Sequence, residues 1–397
     1  MESPSVSLIA DYLHAHPRVI SLANELQKMD CTTNYFAFSD HMQTVESEKD
    51  IFDSANLCLL GQSRFDKLLR FIPSRFMKFG WPIFSISLFE CLKVPYVIKS
   101  LIRHKEELGD VLFVSYSPLS VLIGGAIVGR IGNKMVIIDW RDLYLDNHNV
   151  KFNFLRKLIR YSIFKFIDFL ADRHFTVSEG LRKRLVTYTK KPVHILKNGS
   201  NRLVNAVTFK ESQTVAVRYF GSVYYGKQPL GDFMSHLEAL AVVERRNIQL
   251  EFYGTNKKVV NRVISDIGGF SGEISIRPRL SYESFLKEIN HSGVNLVLGW
   301  IGEPSDEFGG GVLPTKFWEC YSSDTPLLVY APSDNDELRR NCAELNVRCV
   351  SDSEGIREFL EGMNFGLTRD EKSDVSFRVR AEQLIDILDE IRDVNLA

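Results

Sequence analysis

Residues 308 to 328 read FGGGVLPTKFWECYSSDTPLL, three glycines running into a Pro-led helix that carries Lys316 and Glu319 one turn apart. Gly309, Gly310 and Gly311 let backbone N–H groups approach a ligand that a side chain would hold off, and a helix start adds partial positive charge. Such a stretch is a receptor for a phosphate or a sugar. Residues three apart share a helix face, and an acid beside an anion-binding loop is better suited to hydroxyls than to phosphate. A nucleotide sugar offers both.

The surrounding pattern supplies elements to hold these groups. Short apolar runs alternate with helical patterns, beginning with VSLIA near residue 6, a helix over 19–28 and TNYFAF near residue 33. This order predicts parallel sheets covered by helices. VLFVSY at 111, MVIIDW at 135, HFTVS at 174 and VHIL at 193 continue a first Rossmann-like domain. After a polar stretch over 198–213, a second series follows with TVAVRYFG at 214, IQLEFYG at 248, EISIRP at 273, VNLVLGW at 294, TPLLVYA at 325 and VRCV at 347. The expectation is α/β, with two Rossmann-like domains over 1–200 and 201–397 facing across a cleft. Doubly wound sheets bind ligands at the C-terminal ends of their strands. The last segment, from Thr368, reads as a helix that either closes the second domain or crosses back onto the first.

Composition narrows the function classes. The 397 residues exceed one ordinary core, and 45% hydrophobic with 25% charged content is that of a globular protein. Lys plus Arg number 49 against 50 for Asp plus Glu, so no global field recruits nucleic acid or membrane. The six cysteines form no CxxC pair and no Cys/His zinc spacing, which fits a reducing compartment. The N-terminus lacks the basic and apolar regions of an export signal, so a cytoplasmic location is expected. The uncharged stretch over 111–129 approaches membrane-spanning length, but Pro118 and its hydroxyl residues make it a buried strand, a Ser-Pro turn and a Gly-containing helix.

IIDWRDLY at 137, ILKNGSN at 195, RYFGSVYYGKQP at 218, LEFYG at 250 and VLPTKFWE at 312 occur in an order and spacing that resembles retaining glycosyltransferases of the GT-B fold, particularly family 4 and its Thr-Lys-x-x-Glu relatives. The pieces span about two thirds of the chain. The resemblance implies that Glu319 bonds the ribose hydroxyls of a nucleoside diphosphate-sugar, the alternative being a solvated helix carboxylate or a capping group. It aims Lys227 at the donor diphosphate, beside Gly221 and Ser222, with Lys316 on the same donor side. Ser222 stands where many relatives carry an arginine; Arg279 either replaces that charge or is a surface residue. Gly311 stands where many carry a second glutamate, leaving the sugar to Gly309, Gly310, Gly311, Asp306 and Glu307.

Arg141 and Asp142 follow a first-domain strand at the point from which side chains reach a ligand, Arg141 replacing a histidine common among the relatives. Asp142 either accepts a hydrogen bond from a substrate or pairs with Arg141 or Arg173 to fix its loop. His14, His16 and Arg18 follow the first strand, where this fold places an acceptor loop. The implied activity is sugar transfer, with retention, to a saccharide or lipid-linked saccharide in polysaccharide assembly; no metal or further cofactor is implied. An epimerase or hydrolase acting on a nucleotide sugar and a non-catalytic sugar-binding protein are the alternatives. Two stretches mix basic and bulky apolar residues, one from Arg64 and one from Lys151. A helix in a βαβ series packs on its sheet, so the stretch from Arg64, with Pro73, Trp81 and Pro82, is the better candidate for a peripheral membrane contact.

Overall fold

The computed structural model describes residues 5–11, 18–38, 56–60, 88–116, 118–142, 144–145, 154–201, 214–244, 247–291, 293–301, 313–331, 336–362 and 373–396. The chain divides into two compact units, Met1–Asn198 together with Phe377–Ala397, and Gly199–Ser376.

The first unit holds β1 (Val6–Asp11), β2 (Thr33–Phe38), β3 (Asn56–Leu60), β4 (Val111–Ser115), β5 (Met135–Trp140), β6 (Arg173–Thr176) and β7 (Val193–Ile195). They form one sheet in the order β3-β2-β1-β4-β5-β6-β7, and every pairing is parallel. Its helices are α1 (Arg18–Lys28), α2 (Leu88–Arg103), α3 (Leu119–Ile131), α4 (Phe154–Leu170) and α5 (Glu179–Leu185). Near-continuous apolar strands bury both faces: Ile9, Phe36, Val114 and Ile138 enter one core, while Leu8, Tyr35, Phe113 and Ile137 enter the other. The uncharged stretch over 111–129 is β4 followed by α3, whose Gly129 lies so close to the sheet that a Cβ there would overlap Val136. The short β3, NLCLL, was not among the expected strands. Five residues without alternation give no periodic signal.

The second unit repeats the plan with β8 (Thr214–Phe220), β9 (Asn247–Tyr253), β10 (Glu273–Arg277), β11 (Val294–Leu298), β12 (Leu327–Tyr330) and β13 (Cys349–Val350), ordered β10-β9-β8-β11-β12-β13. Between and after them lie α6 (Leu230–Glu244), α7 (Lys257–Asp266), α8 (Tyr282–Glu288), α9 (Lys316–Ser322), α10 (Asp336–Glu344) and α11 (Ser353–Glu361). Side-chain caps start several of these helices, as where Ser281 Oγ accepts from Ser284 N at 3.1 Å. The final α12 (Phe377–Leu396) belongs to the first unit, where Ala381, Leu384 and Leu388 pack with Val19, Ala23 and Leu26 of α1. Each such buried Leu or Val contributes roughly 1.5–3 kcal/mol over exposure. That apolar face, matched to α1, fixes where the chain ends.

α4 does not follow the rule that a crossover helix hides its apolar residues. Phe164, Ile167 and Leu170 are buried, but Phe154 and Phe169 are 83% and 76% exposed, and Leu155, Leu158, Tyr161 and Phe166 are exposed beside them. The stretch from Arg64, favoured from sequence as a membrane contact, lies outside the described residues. No helix among the described residues is long and apolar enough to cross a membrane.

Candidate functional site

In the second sheet the order reverses between β8 and β11, and the expected donor-side residues that the structure describes lie at the strand ends around that point. β8 ends at Phe220, and Gly221 follows with φ +107, its N–H donating to Tyr253 O at 2.7 Å while its carbonyl accepts from Thr255 Oγ1. The positive φ favours glycine here, and a Cβ would displace Nζ of Lys316 from its present place. Lys316 reaches back from the first turn of α9, donates to the carbonyl of Phe220 and stands 5.8 Å from the centre of the Tyr219 ring. Burial, with the Arg279 guanidinium adding to it, lowers its pKa to about 8. At neutral pH it is mainly a cation.

Arg279 follows β10 and is exposed, with its Cβ against Gly254, the φ +78 residue that ends the β9 strand. Its charge lies near enough to add to the lowering of the Lys316 pKa. Lys227 is half-buried; its carbonyl accepts from Ile301 N at 2.7 Å, which ties the turn after β8 to the turn after β11. Ser222 is exposed, its carbonyl accepting from Tyr219 Oη at 3.1 Å. Gly309, Gly310, Gly311, Asp306 and Glu307 lie outside the described residues.

Glu319 is 4% exposed. Tyr282 Oη donates to its Oε1 at 2.6 Å, Asn201 N donates to its Oε2 at 3.2 Å, and Asn201 Nδ2 donates to Tyr282 Oη at 2.9 Å. Burial pushes the Glu319 pKa up to about 7, the hydrogen bonds from Tyr282 and Asn201 opposing it. The solvated-carboxylate alternative is therefore wrong: Phe317, Trp318 and Tyr321 bury the helix that carries it. Each carboxylate oxygen has a second lone pair, so two occupied positions leave capacity for further hydroxyls. Sequence reading did not find Tyr282 or Asn201 as partners. Asn201 lies in the quoted ILKNGSN run, whereas Tyr282 carries no local signal.

The raised pKa has a thermodynamic consequence. Folded Glu319 holds its proton to about pH 7 and the unfolded side chain only to 4.5, so between these values the native state binds more protons. Stability from this group is complete below pH 4.5 and falls as pH rises to about 7, by ~3 kcal/mol. Urea unfolding across that window is expected to show the loss in wild type and a flatter profile in Glu319→Gln. Identical profiles would contradict it.

In the first unit Arg141 follows β5 and its Nε donates to Tyr116 O at 3.0 Å, joining the turns after β4 and β5. Burial lowers its pKa, while the carboxylates of Asp139 and Asp142 act in the opposite sense. Asp142 is exposed. Arg18 is a correction. Expected on an acceptor loop, it is 4% exposed and bonded through Nη2 to Asp139 Oδ1 at 3.1 Å and Leu196 O at 2.8 Å, and through Nη1 to Asn198 Oδ1 at 3.0 Å. A carboxylate inside a strand buried on both faces requires a cation, and Arg18 is the one α1 supplies. His14 and His16 lie outside the described residues.

No family model matches this sequence, and no curated protein matches it. Solved structures do. HepE of Anabaena, in complex with UDP and glucose, superposes with TM-score 0.60 at 11% identity, over 98% of this chain and 100% of that one. A glycosyltransferase from Rickettsia africae gives 0.59 at 12%, over 98% and 99%. The chain has the GT-B fold. UDP-GlcNAc 2-epimerase from Neisseria meningitidis, bound to UDP-GlcNAc, gives 0.55 at 12% identity, over 97% and 100%. At such identities the likeness is one of fold, and the GT-B architecture is shared here by transferases and epimerases.

Proposed function

We propose that this chain is a GT-B enzyme that binds a UDP-sugar in its second unit and transfers the sugar, with retention, to a saccharide or lipid-linked saccharide, in the manner of family 4 and its Thr-Lys-x-x-Glu relatives. The observation that carries the reading is the pair of buried ionisable groups on the first turn of α9, Lys316 against the end of β8 and Glu319 among hydrogen-bond donors. The neighbouring structures that hold UDP, UDP-glucose or UDP-GlcNAc support it.

In this reading Glu319 accepts from the ribose hydroxyls, and Lys316, Arg279 and Lys227 meet the diphosphate. The bond from the anomeric carbon to the phosphate oxygen breaks and its electron pair leaves with UDP. The acceptor oxygen bonds the same carbon, and its proton passes to the departing phosphate oxygen. Cations fixed on the diphosphate stabilise charge that grows as the bond breaks, which favours the transition state over the ground state. Arg141 and Asp142 are assigned to the acceptor side, and the exposed apolar face of α4, with Lys157 and Lys165, to a membrane carrying a lipid-linked acceptor.

A second reading, epimerisation or hydrolysis of the nucleotide sugar, is favoured by the epimerase structures that cover 97–98% of this chain. Thermal shift with UDP, UDP-glucose and UDP-GlcNAc tests donor binding, and NMR of each sugar incubated without acceptor separates the two activities. A raised melting temperature with a stable donor is expected, and Lys227→Ala should weaken binding about tenfold, the worth of one charged hydrogen bond. Rapid acceptor-free conversion would select the second reading. No shift with any of the three would sink both.

A further inference from the structure

We propose that Cys58, His104 and Glu107 form a zinc site that fastens the edge strand β3 to the connection entering β4. Cys58 lies in β3, His104 directly after α2 as the N-cap of the 3-10 turn Lys105–Glu107, and Glu107 at the end of that turn. Cys58 Sγ lies 3.6 Å from Nδ1 of His104, and that nitrogen lies 2.9 Å from Oε1 of Glu107. One ligand atom from each residue falls within 4.8 Å of the others.

These separations suit a tetrahedral ion. Zinc bonds sulfur at about 2.3 Å and imidazole nitrogen at about 2.05 Å, which at the tetrahedral angle sets sulfur and nitrogen ~3.5 Å apart. The same geometry asks for ~3.3 Å between nitrogen and carboxylate oxygen, so entry of the ion opens the present hydrogen bond by a few tenths of an ångström. The Glu107 side chain, 57% exposed, is free to make that movement. His104 is 34% exposed, which gives the ion a path from solvent and leaves the fourth position to water.

The ligands are held in place by contacts other than the metal. Asn34 Nδ2 donates to the Glu107 carbonyl at 2.5 Å, Glu107 N donates to the His104 carbonyl at 2.9 Å, and the Phe36 ring packs 6.2 Å from the imidazole. A thiolate with an imidazole and one carboxylate selects zinc over calcium or magnesium, which prefer oxygen alone. Among the described residues β3 pairs with β2 alone, so a cross-link from its middle residue to the α2–β4 connection restrains the outermost described strand of the sheet. Binding replaces the thiol proton, which is released to solvent as the Zn–S bond forms. The site belongs to the first unit and is independent of the donor residues.

The full chain, stripped with a chelator, is titrated with Zn(II) against a chromophoric competitor and separately with Co(II). A single equivalent bound at or below micromolar concentration is expected, with a thiolate-to-Co(II) absorption band. Cys58→Ser should abolish the band and His104→Gln should weaken binding at least about tenfold, each variant keeping the wild-type circular dichroism. Absence of stoichiometric binding in wild type, or equal affinity in both folded variants, would overturn the site. Should Cys58→Ser fail to fold, the surface variant His104→Gln decides alone.

Discussion

Glu319→Ala is expected to eliminate measurable turnover of a UDP-sugar while both cores stay folded. The residue is buried, and Tyr282 and Asn201 already supply donors to each of its oxygens. Deleting one partner of a buried, charged hydrogen-bonded set costs about 2–5 kcal/mol, which is ~30- to several-thousandfold in kcat/KM or in donor affinity. Isothermal titration with UDP separates the causes. If Glu319 meets the ribose, the UDP affinity falls with the activity, and Glu319→Gln, which keeps shape and one acceptor oxygen, falls less. Full turnover in the alanine variant would remove Glu319 from the site. Unchanged UDP affinity with lost turnover would place its action at the reacting sugar instead.

The second large effect belongs to the other unit. Arg18→Met leaves Asp139, which is 0% exposed, with the Ser115 hydroxyl at 3.0 Å and the Arg141 charge nearby, but without its bonded guanidinium. Breaking a buried ion pair on one side destabilises by about 3–5 kcal/mol, a large share of an ordinary domain's stability. The same arginine bonds Leu196 O, Lys197 O and Asn198 Oδ1, and Arg380 Nε of α12 donates to Asn198 O at 3.1 Å, so the loss also loosens the attachment of the last helix. Denaturant unfolding of Arg18→Met should show the first unit melting early as a separate transition, with Gly199–Ser376 melting as in wild type. The apolar pair Arg18→Met with Asp139→Leu should recover much of the loss, since replacing both charges removes the desolvation cost that replacing one exposes. A single variant as stable as wild type would show that the network carries little energy.

Much of the fold was legible because parallel strands buried on both faces read as apolar runs, and twelve of the thirteen strands among the described residues coincide with expected runs. The exception, β3, is five residues long and lacks alternation. The helix at Lys316 was legible from Pro314 and from its apolar neighbours, and it ends after seven residues. α4 packs one face into the core through Phe164, Ile167 and Leu170, as its place in the βαβ series implies, but amphipathic spacing says nothing of whether its remaining apolar residues find a partner. The pairing of Cys58 with His104, 46 positions apart, escaped any search for local zinc spacing.

Sequence by itself determined the alternation of strands and helices, the glycines at the strand ends, and the short helix that carries Lys316 and Glu319 on one face. These follow from short-range rules, since burial period and turn chemistry are properties of neighbouring residues. Tertiary structure decided which long-range partners each ionisable group has: Tyr282 and Asn201 for Glu319, the Phe220 carbonyl for Lys316, Asp139 for Arg18. It also placed α12 on the first unit against α1. The physical reason is the same in each case. Desolvation and charge depend on distances in space, and a side chain's burial, and with it its pKa, is fixed only when the distant segments that cover it have come together.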